Sequence, residues 1–155
     1  MPQINKGGKF IFGKSLIRED LTLHLPTQAV TEYNIAVENK VYLFTGSKST
    51  SGFCVTRKGL LEYSKLRQLL TDNPDLKNYR TAEGEFIPYK GRSYCWVDIS
   101  KDGRIRLTPE MMVFLNLKIR MELLSIRSSD IAFTMGAKGP LLGKAATFDG
   151  VIKVY

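Results

Sequence analysis

A chain of 155 residues with 43% apolar side chains and a mean hydropathy of −0.14 suits one compact domain, or two small halves sharing a core, rather than a disordered chain. No apolar run approaches the roughly 18–20 residues that span a bilayer, and Met1-Pro2-Gln3-Ile4-Asn5-Lys6-Gly7-Gly8 lacks the apolar region of a secretory signal. A formal charge of +8 favours a polyanionic partner, nucleic acid above all, and residues 91–155 supply +4 of it with ten Lys/Arg against six Asp/Glu.

In chain order, Lys9-Phe10-Ile11-Phe12 opens a strand that runs through Leu16-Ile17. Asp20 marks a turn, and Leu21-Thr22-Leu23-His24-Leu25 alternates like a half-buried strand. A short helix starts at Pro26 or Thr27 with Val30 and Tyr33 on its inner side, and Asn34 is suited to end it in the left-handed conformation. Val41-Tyr42-Leu43-Phe44 is a strand, Gly46 to Gly52 a loop, and Phe53-Cys54-Val55-Thr56 another strand.

Leu60, Leu61, Leu66, Leu69 and Leu70 have helical spacing, which predicts one connector helix that ends by Asp72-Asn73-Pro74 and covers part of the shared core. Phe86 and Ile87 anchor the polar stretch that follows. Tyr94-Cys95-Trp96-Val97 is a strand, Ser100 to Gly103 a turn, and Arg104-Ile105-Arg106-Leu107 an alternating strand with both arginines opposite the apolar face. Thr108 as N-cap and Pro109 at the first position start a second short helix, filled by Met111, Met112, Phe114 and Leu115. Strands over Met121–Ile126 and Ile131–Thr134 follow, then a Gly-rich segment from Gly136 to Gly143. A final strand, Val151–Tyr155, can pair with the N-terminal one.

Shifted by 82 positions, residues 12–47 fall without a gap on 94–129. Ile17 lands on Ile99, Leu23 on Ile105, Leu25 on Leu107, Asn34 on Asn116, Val41 on Leu123 and Phe44 on Ile126. The match is in apolar character and in the order strand, turn, short helix, Asn, strand. Units this short cannot bury their own apolar faces, so the two copies are expected to pack on each other.

Asp102-Gly103-Arg104-Ile105-Arg106-Leu107-Thr108-Pro109-Glu110, continuing to Phe114-Leu115-Asn116-Leu117-Lys118 and Leu123, resembles the swapped-hairpin domain of the AbrB/MazE/SpoVT family. The family pattern runs Gly-Arg, alternating apolar residues, Ile-Pro, a short helix ending in Leu-Gly-Ile or Leu-Gly-Leu, then a strand. The first copy matches at Leu25-Pro26, Tyr33-Asn34-Ile35 and Val41. Members interleave one unit from each of two chains, and MraZ-type members carry two units in one chain. The resemblance implies a mainly β fold with short helices, in which two swapped-hairpin units (residues 1–56 and 91–155) form one interwoven pseudo-dimeric barrel with a helical connector (57–90). It also implies a cytoplasmic DNA-binding transcriptional regulator, with a monomer sufficient for the core and self-association through exposed edges as a further option. The chain departs from the pattern at Thr108, where the family has Pro, at Asn116, where it has Gly, and at Met112 and Val113, which are basic in AbrB-like regulators.

Lys101, Arg104 and Arg106 form the candidate surface for double-stranded DNA, a turn followed by two arginines on one strand face. Arg92, preceded by Lys90, leads into that hairpin, and Lys118 and Arg120 follow the short helix. The competing reading is ordinary solubilising charge, with salt bridges to Asp98, Asp102 and Glu122. Functionally that is a non-catalytic protein-interaction or small-ligand module that kept the fold and lost DNA binding. His24, the single histidine, aligns with Arg106 and reads as structural. Cys54 and Cys95 have no CxxC spacing and read as reduced, buried thiols, a disulfide being the alternative. Gly136-Ala137-Lys138-Gly139-Pro140 lacks the GxxxxGK[ST] of a phosphate loop. Trp96, Tyr94 and Tyr89 read as core or rim residues rather than a base-stacking platform. No cofactor, metal cluster or catalytic constellation is expected.

Overall fold

The computed structural model describes residues 5–6, 9–45, 52–137 and 154–155. The expected loop from Gly46, most of the Gly-rich segment with Lys138, and residues 151–153 of the expected last strand lie outside these. The described chain runs β1 (Asn5–Lys6), β2 (Lys9–Leu16), β3 (Thr22–His24), α1 (Thr27–Tyr33), β4 (Lys40–Thr45) and β5 (Phe53–Thr56). It continues with α2 (Lys58–Glu62), α3 (Arg67–Asp72), α4 (Pro74–Lys77), β6 (Ile87–Tyr89), β7 (Arg92–Asp98) and β8 (Arg104–Arg106). Last come α5 (Pro109–Phe114), β9 (Glu122–Arg127) and β10 (Phe133–Gly136).

Eight strands form one antiparallel sheet in the order β1-β2-β9-β10-β5-β4-β7-β6, and β3 and β8 pair as a separate two-stranded ribbon. Within the large sheet, β1-β2 and β5-β4 of residues 1–56 therefore alternate with β9-β10 and β7 of 91–155, and β6 of the connector forms the edge beside β7. The registers repeat with the sequence shift of 82. Lys14↔Leu124, Ser15↔Leu123 and Leu16↔Glu122 between β2 and β9 reappear as Tyr42↔Trp96, Val41↔Val97 and Lys40↔Asp98 between β4 and β7. Leu23↔Ile105 in the ribbon and Phe53↔Met135 in the sheet each pair a residue with its own counterpart. A pseudo-two-fold axis passes through both pairs.

The sequence also explains the helix boundaries. The Thr108 hydroxyl accepts the Met111 N–H at 3.1 Å and Pro109 occupies the first turn of α5. Asn34 (φ 49°) and Asn116 (φ 56°) close α1 and α5 in the left-handed region, where Asn is better tolerated than most side chains. Ile35 N–H then returns to Val30 O, and Leu117 N–H to Met112 O.

Apolar side chains on one sheet face, among them Phe12, Val41, Leu43, Phe53, Cys95, Leu123 and Phe133, meet Leu23, Ile105, Ala29, Tyr33 and Met111 from the ribbon, α1 and α5. This is the main core. Each Val, Leu, Ile, Phe or Met side chain in it contributes about 1.5–3 kcal/mol on removal from water.

Three expectations need correction. The sheet is open rather than a closed barrel, and no described pair joins β1 to β6. β3 and β8 hydrogen-bond to each other instead of bridging the ends, and Pro88, in the edge strand β6, has no N–H to offer another strand. The connector is three short helices, because Ser64 turns the chain with its hydroxyl on Leu61 O and Leu66 N, and Pro74 starts α4 rather than only ending α3. These helices cover the main core only in part, through Leu60 of α2, which packs against it. Leu61, Leu69, Leu70 and Leu76 pack on the other sheet face with Tyr42, Phe44, Cys54 and Tyr94 as a second cluster. Phe114 is 53% exposed instead of filling α5, since the helix buries Met111 and Met112 and turns Val113 and Phe114 outward. At the chain end, Tyr155 does pair with β2, donating to Lys14 O at 2.7 Å and accepting from Leu16 N–H at 3.1 Å.

Candidate nucleic-acid interface

The ribbon is built by alternation. Leu23 and Ile105 point into the core and are buried, so Thr22, His24, Arg104 and Arg106 stand on its other face. Across the axis Arg106 sits opposite Thr22 and Arg104 opposite His24.

The two turns that feed the ribbon are held alike. Leu25 N–H donates to Gly103 O and Leu107 N–H to Leu21 O. His24 Nε2 lies 2.6 Å from Asp102 O, and Arg106 Nε donates to Asp20 O at 3.2 Å. A carbonyl only accepts, so Nε2 carries the proton in that contact. Each side chain thus braces the turn of the other copy.

The carboxylates of these turns are engaged. Asp20 accepts from Thr22 Oγ1 at 2.6 Å and Thr22 N–H at 3.2 Å, which hold it below the usual carboxylate range. Asp102 is lowered first by the Ser100 hydroxyl and then by Arg104, whose Nε lies 3.1 Å from Oδ2. Arg120 pairs with Glu19 at 2.7 Å, with both side chains about three-quarters exposed.

A cleft of about 840 Å³ beside the ribbon is lined by Arg104 and Arg106 together with Glu19, Asp20, Glu83 and Asp98. The local field is therefore mixed rather than uniformly positive.

Of the six expected contacts, Arg104, Arg106 and Arg120 gather around the ribbon. Lys101 borders a separate hollow beside α1, with Val30, Asn34 and Val37. Lys118 is exposed in the loop after α5. Arg92 begins β7, six residues from the ribbon end of that strand and so on the order of 20 Å away. Its guanidinium donates to Thr45 O at 2.9 Å and lies over the Phe44 ring. His24 belongs with the ribbon group despite its structural reading, and Arg18, exposed at the first turn, stands close by. The equivalence of His24 with Arg106 in the repeat was the signal for the former. Of the two positions that are basic in the resembled family, Met112 is core at 8% exposure whereas Val113 is 82% exposed.

Elsewhere the chemistry is quiet. Burial pushes the Cys54 and Cys95 thiols up, which keeps them protonated, and the two sit in different clusters as free thiols. Tyr94 is buried in the second cluster, with Tyr89 and Trp96 at its border and the indole donating to Thr81 O at 2.9 Å. Among the described residues no group of three or more His, Cys, Asp or Glu is placed to hold a metal ion, and no helix is long and apolar enough to cross a membrane. No family model and no curated protein matches the chain.

Proposed function

We propose that this chain is a double-stranded-DNA-binding protein, a transcriptional regulator of AbrB/SpoVT type acting in the cytoplasm, built from two tandem swapped-hairpin units. The observation that carries the reading is the ribbon, two antiparallel strands centred on a pseudo-two-fold axis with Arg104 and Arg106 outward. A two-stranded ribbon fits the major groove, and arginines on its outer face can read guanine edges or hold phosphates. The alternation of strands between the two copies supports the swapped-hairpin reading. The pairs Arg104–Asp102 and Arg120–Glu19 are exposed, so they contribute little and exchange readily for phosphate.

Titration of duplex DNA against the parent and Arg104→Ala/Arg106→Ala proteins at several salt concentrations tests this. The variant should melt close to the parent, because both side chains point away from the core. Its salt slope should be shallower by about 0.9 for each phosphate that is no longer neutralised, and removal of a bidentate bond to guanine would weaken binding by about 1–3 kcal/mol. An unchanged slope and affinity in the folded variant would move the site elsewhere.

The four carboxylates in the ribbon cleft favour a second reading, a protein-interaction or small-ligand module that kept the fold and does not bind DNA. Absence of binding by the parent at low salt would select it.

A further inference from the structure

A second hollow, of about 400 Å³, opens where the connector meets α5. Glu83, Glu85, Phe86, Thr108, Glu110 and Phe114 line it, and no Lys or Arg does. Phe86 and Phe114 stack with centroids 4.5 Å apart to make an apolar floor, and Phe114 stays half exposed.

The two copies provide an internal control. The residue equivalent to Phe114 in α1 is Glu32, which Arg127 satisfies with an ion pair, its Nε lying 2.7 Å from the carboxylate. The fold therefore accepts a solvated charge at this position. In the second copy it carries a phenylalanine whose ring is left partly in water.

The rim is acidic in a chain of net charge +8. Glu83, Glu85 and Glu110 form no ion pair among the described residues, in contrast to Arg104, Arg120, Arg57 and Arg127. Glu83 and Glu85 each give one oxygen to a backbone N–H, of Asp98 and Ala82, and keep the other. Glu110 sits in the first turn of α5.

We infer that this hollow docks a basic segment of a partner protein, a lysine or arginine next to an apolar residue. The cation lies among the three carboxylates while the aliphatic stem and the apolar neighbour cover the Phe86–Phe114 floor. Charge complementarity selects the occupant and excludes nucleic acid. Cation–aromatic attraction adds to it at such a floor. Glu83 and Thr108 also line the ribbon cleft, so the docked segment would lie next to the ribbon without using its arginines. The inference does not depend on DNA binding.

The test is a phage-displayed library of random 12-residue peptides, panned without DNA on the full chain and counter-selected on Phe114→Ser. Enriched sequences are then synthesised and titrated by fluorescence polarisation. The expected consensus places Arg or Lys beside Leu, Ile or Phe. Its Kd should rise at least tenfold in Phe114→Ser and in Glu85→Gln/Glu110→Gln, which keeps the backbone acceptor and removes the charge. It should be unchanged in Arg104→Ala/Arg106→Ala. No enrichment, a consensus without cations, or equal binding by the groove variants would overturn the inference. So would a parent protein that is a dimer by light scattering while Phe114→Ser is a monomer, because the groove would then hold a second copy.

Discussion

Leu21 and Gly103 occupy matching positions in the two turns, and both have positive φ, 69° and 89°. Only glycine adopts that conformation without strain, and at Gly103 space is also short. A Cβ there would lie 2.6 Å from Val30 Cγ2. Gly103→Ala should therefore lose more than about 1 kcal/mol from strain alone. Adding Val30→Ala should return the part due to the clash, a coupling that a double-mutant cycle of unfolding free energies measures. If the two losses simply add, close packing of α1 on the turn is not the cause. Tyr33 supplies a pH dependence. Burial first, and Glu32 next, push its hydroxyl up to about 12, and that hydroxyl donates to Ser129 O at 2.6 Å and Ala132 O at 3.1 Å. The folded state favours the protonated phenol, so this stabilisation is complete below about pH 10, the unfolded value, and is lost as pH rises towards 12. The melting temperature should fall between about pH 10 and 12, and fall less in Tyr33→Phe. An equal fall would assign the effect to other groups, such as buried Tyr42, whose hydroxyl is also pushed up by burial.

At the scale of elements, the ribbon is symmetric in backbone and asymmetric in charge. Its outer face carries Arg104 and Arg106 from one copy, but Thr22 and His24 from the other. The His24 ring already reaches the carbonyl that corresponds to the one Arg106 holds. An arginine at position 24 can make the same brace and adds a permanent charge at the mirror site. His24→Arg should thus tighten duplex binding and steepen its salt slope by up to about 0.9 for one further phosphate neutralised. A variant that folds normally yet binds DNA no better would mean that the ribbon face does not meet DNA. The same asymmetry appears in the helices. α5 has the Thr108 cap, whereas Pro26 caps α1 with no side-chain bond. α5 also turns Val113 and Phe114 outward where α1 presents Thr31 and Glu32. The second copy thus exposes apolar side chains where the first exposes polar ones.

Across the whole molecule, strand pairing makes each half incomplete. Among the described residues, 1–56 by themselves retain the β1–β2 and β4–β5 pairs, with no strand pair joining the two. β2–β9, β4–β7, β5–β10 and the ribbon all cross between the copies. A fragment of residues 1–72 should therefore show no cooperative thermal transition, while the full chain melts as one unit. A sharp transition in the fragment would contradict the dependence of the halves on each other. Because these pairings are satisfied within one chain, the core needs no second copy. Light scattering should give a monomer mass for the full chain, and a dimer that separates only on unfolding would refute this.

Local signals in the sequence determined local structure. Alternation placed Leu23 and Ile105 inward and the arginines outward, Thr108-Pro109 set the start of α5, and Asn34 and Asn116 set two helix ends. The shift of 82 residues identified which elements correspond, and so predicted that the copies pack together. Pairing and closure were not legible, because a strand's periodicity states which face is buried and not which strand lies beside it. The order β2-β9-β10-β5-β4-β7, the open edges, and the placement of Leu61, Leu69, Leu70 and Leu76 of the connector on the opposite sheet face were decided by long-range burial. The candidate site divided along the same line. That Arg104 and Arg106 share a face follows from period two. That Arg120 meets Glu19, that Arg92 stands at the far end of β7, and that the Phe86–Phe114 pair joins three carboxylates depend on contacts between distant residues, which only the folded chain brings together.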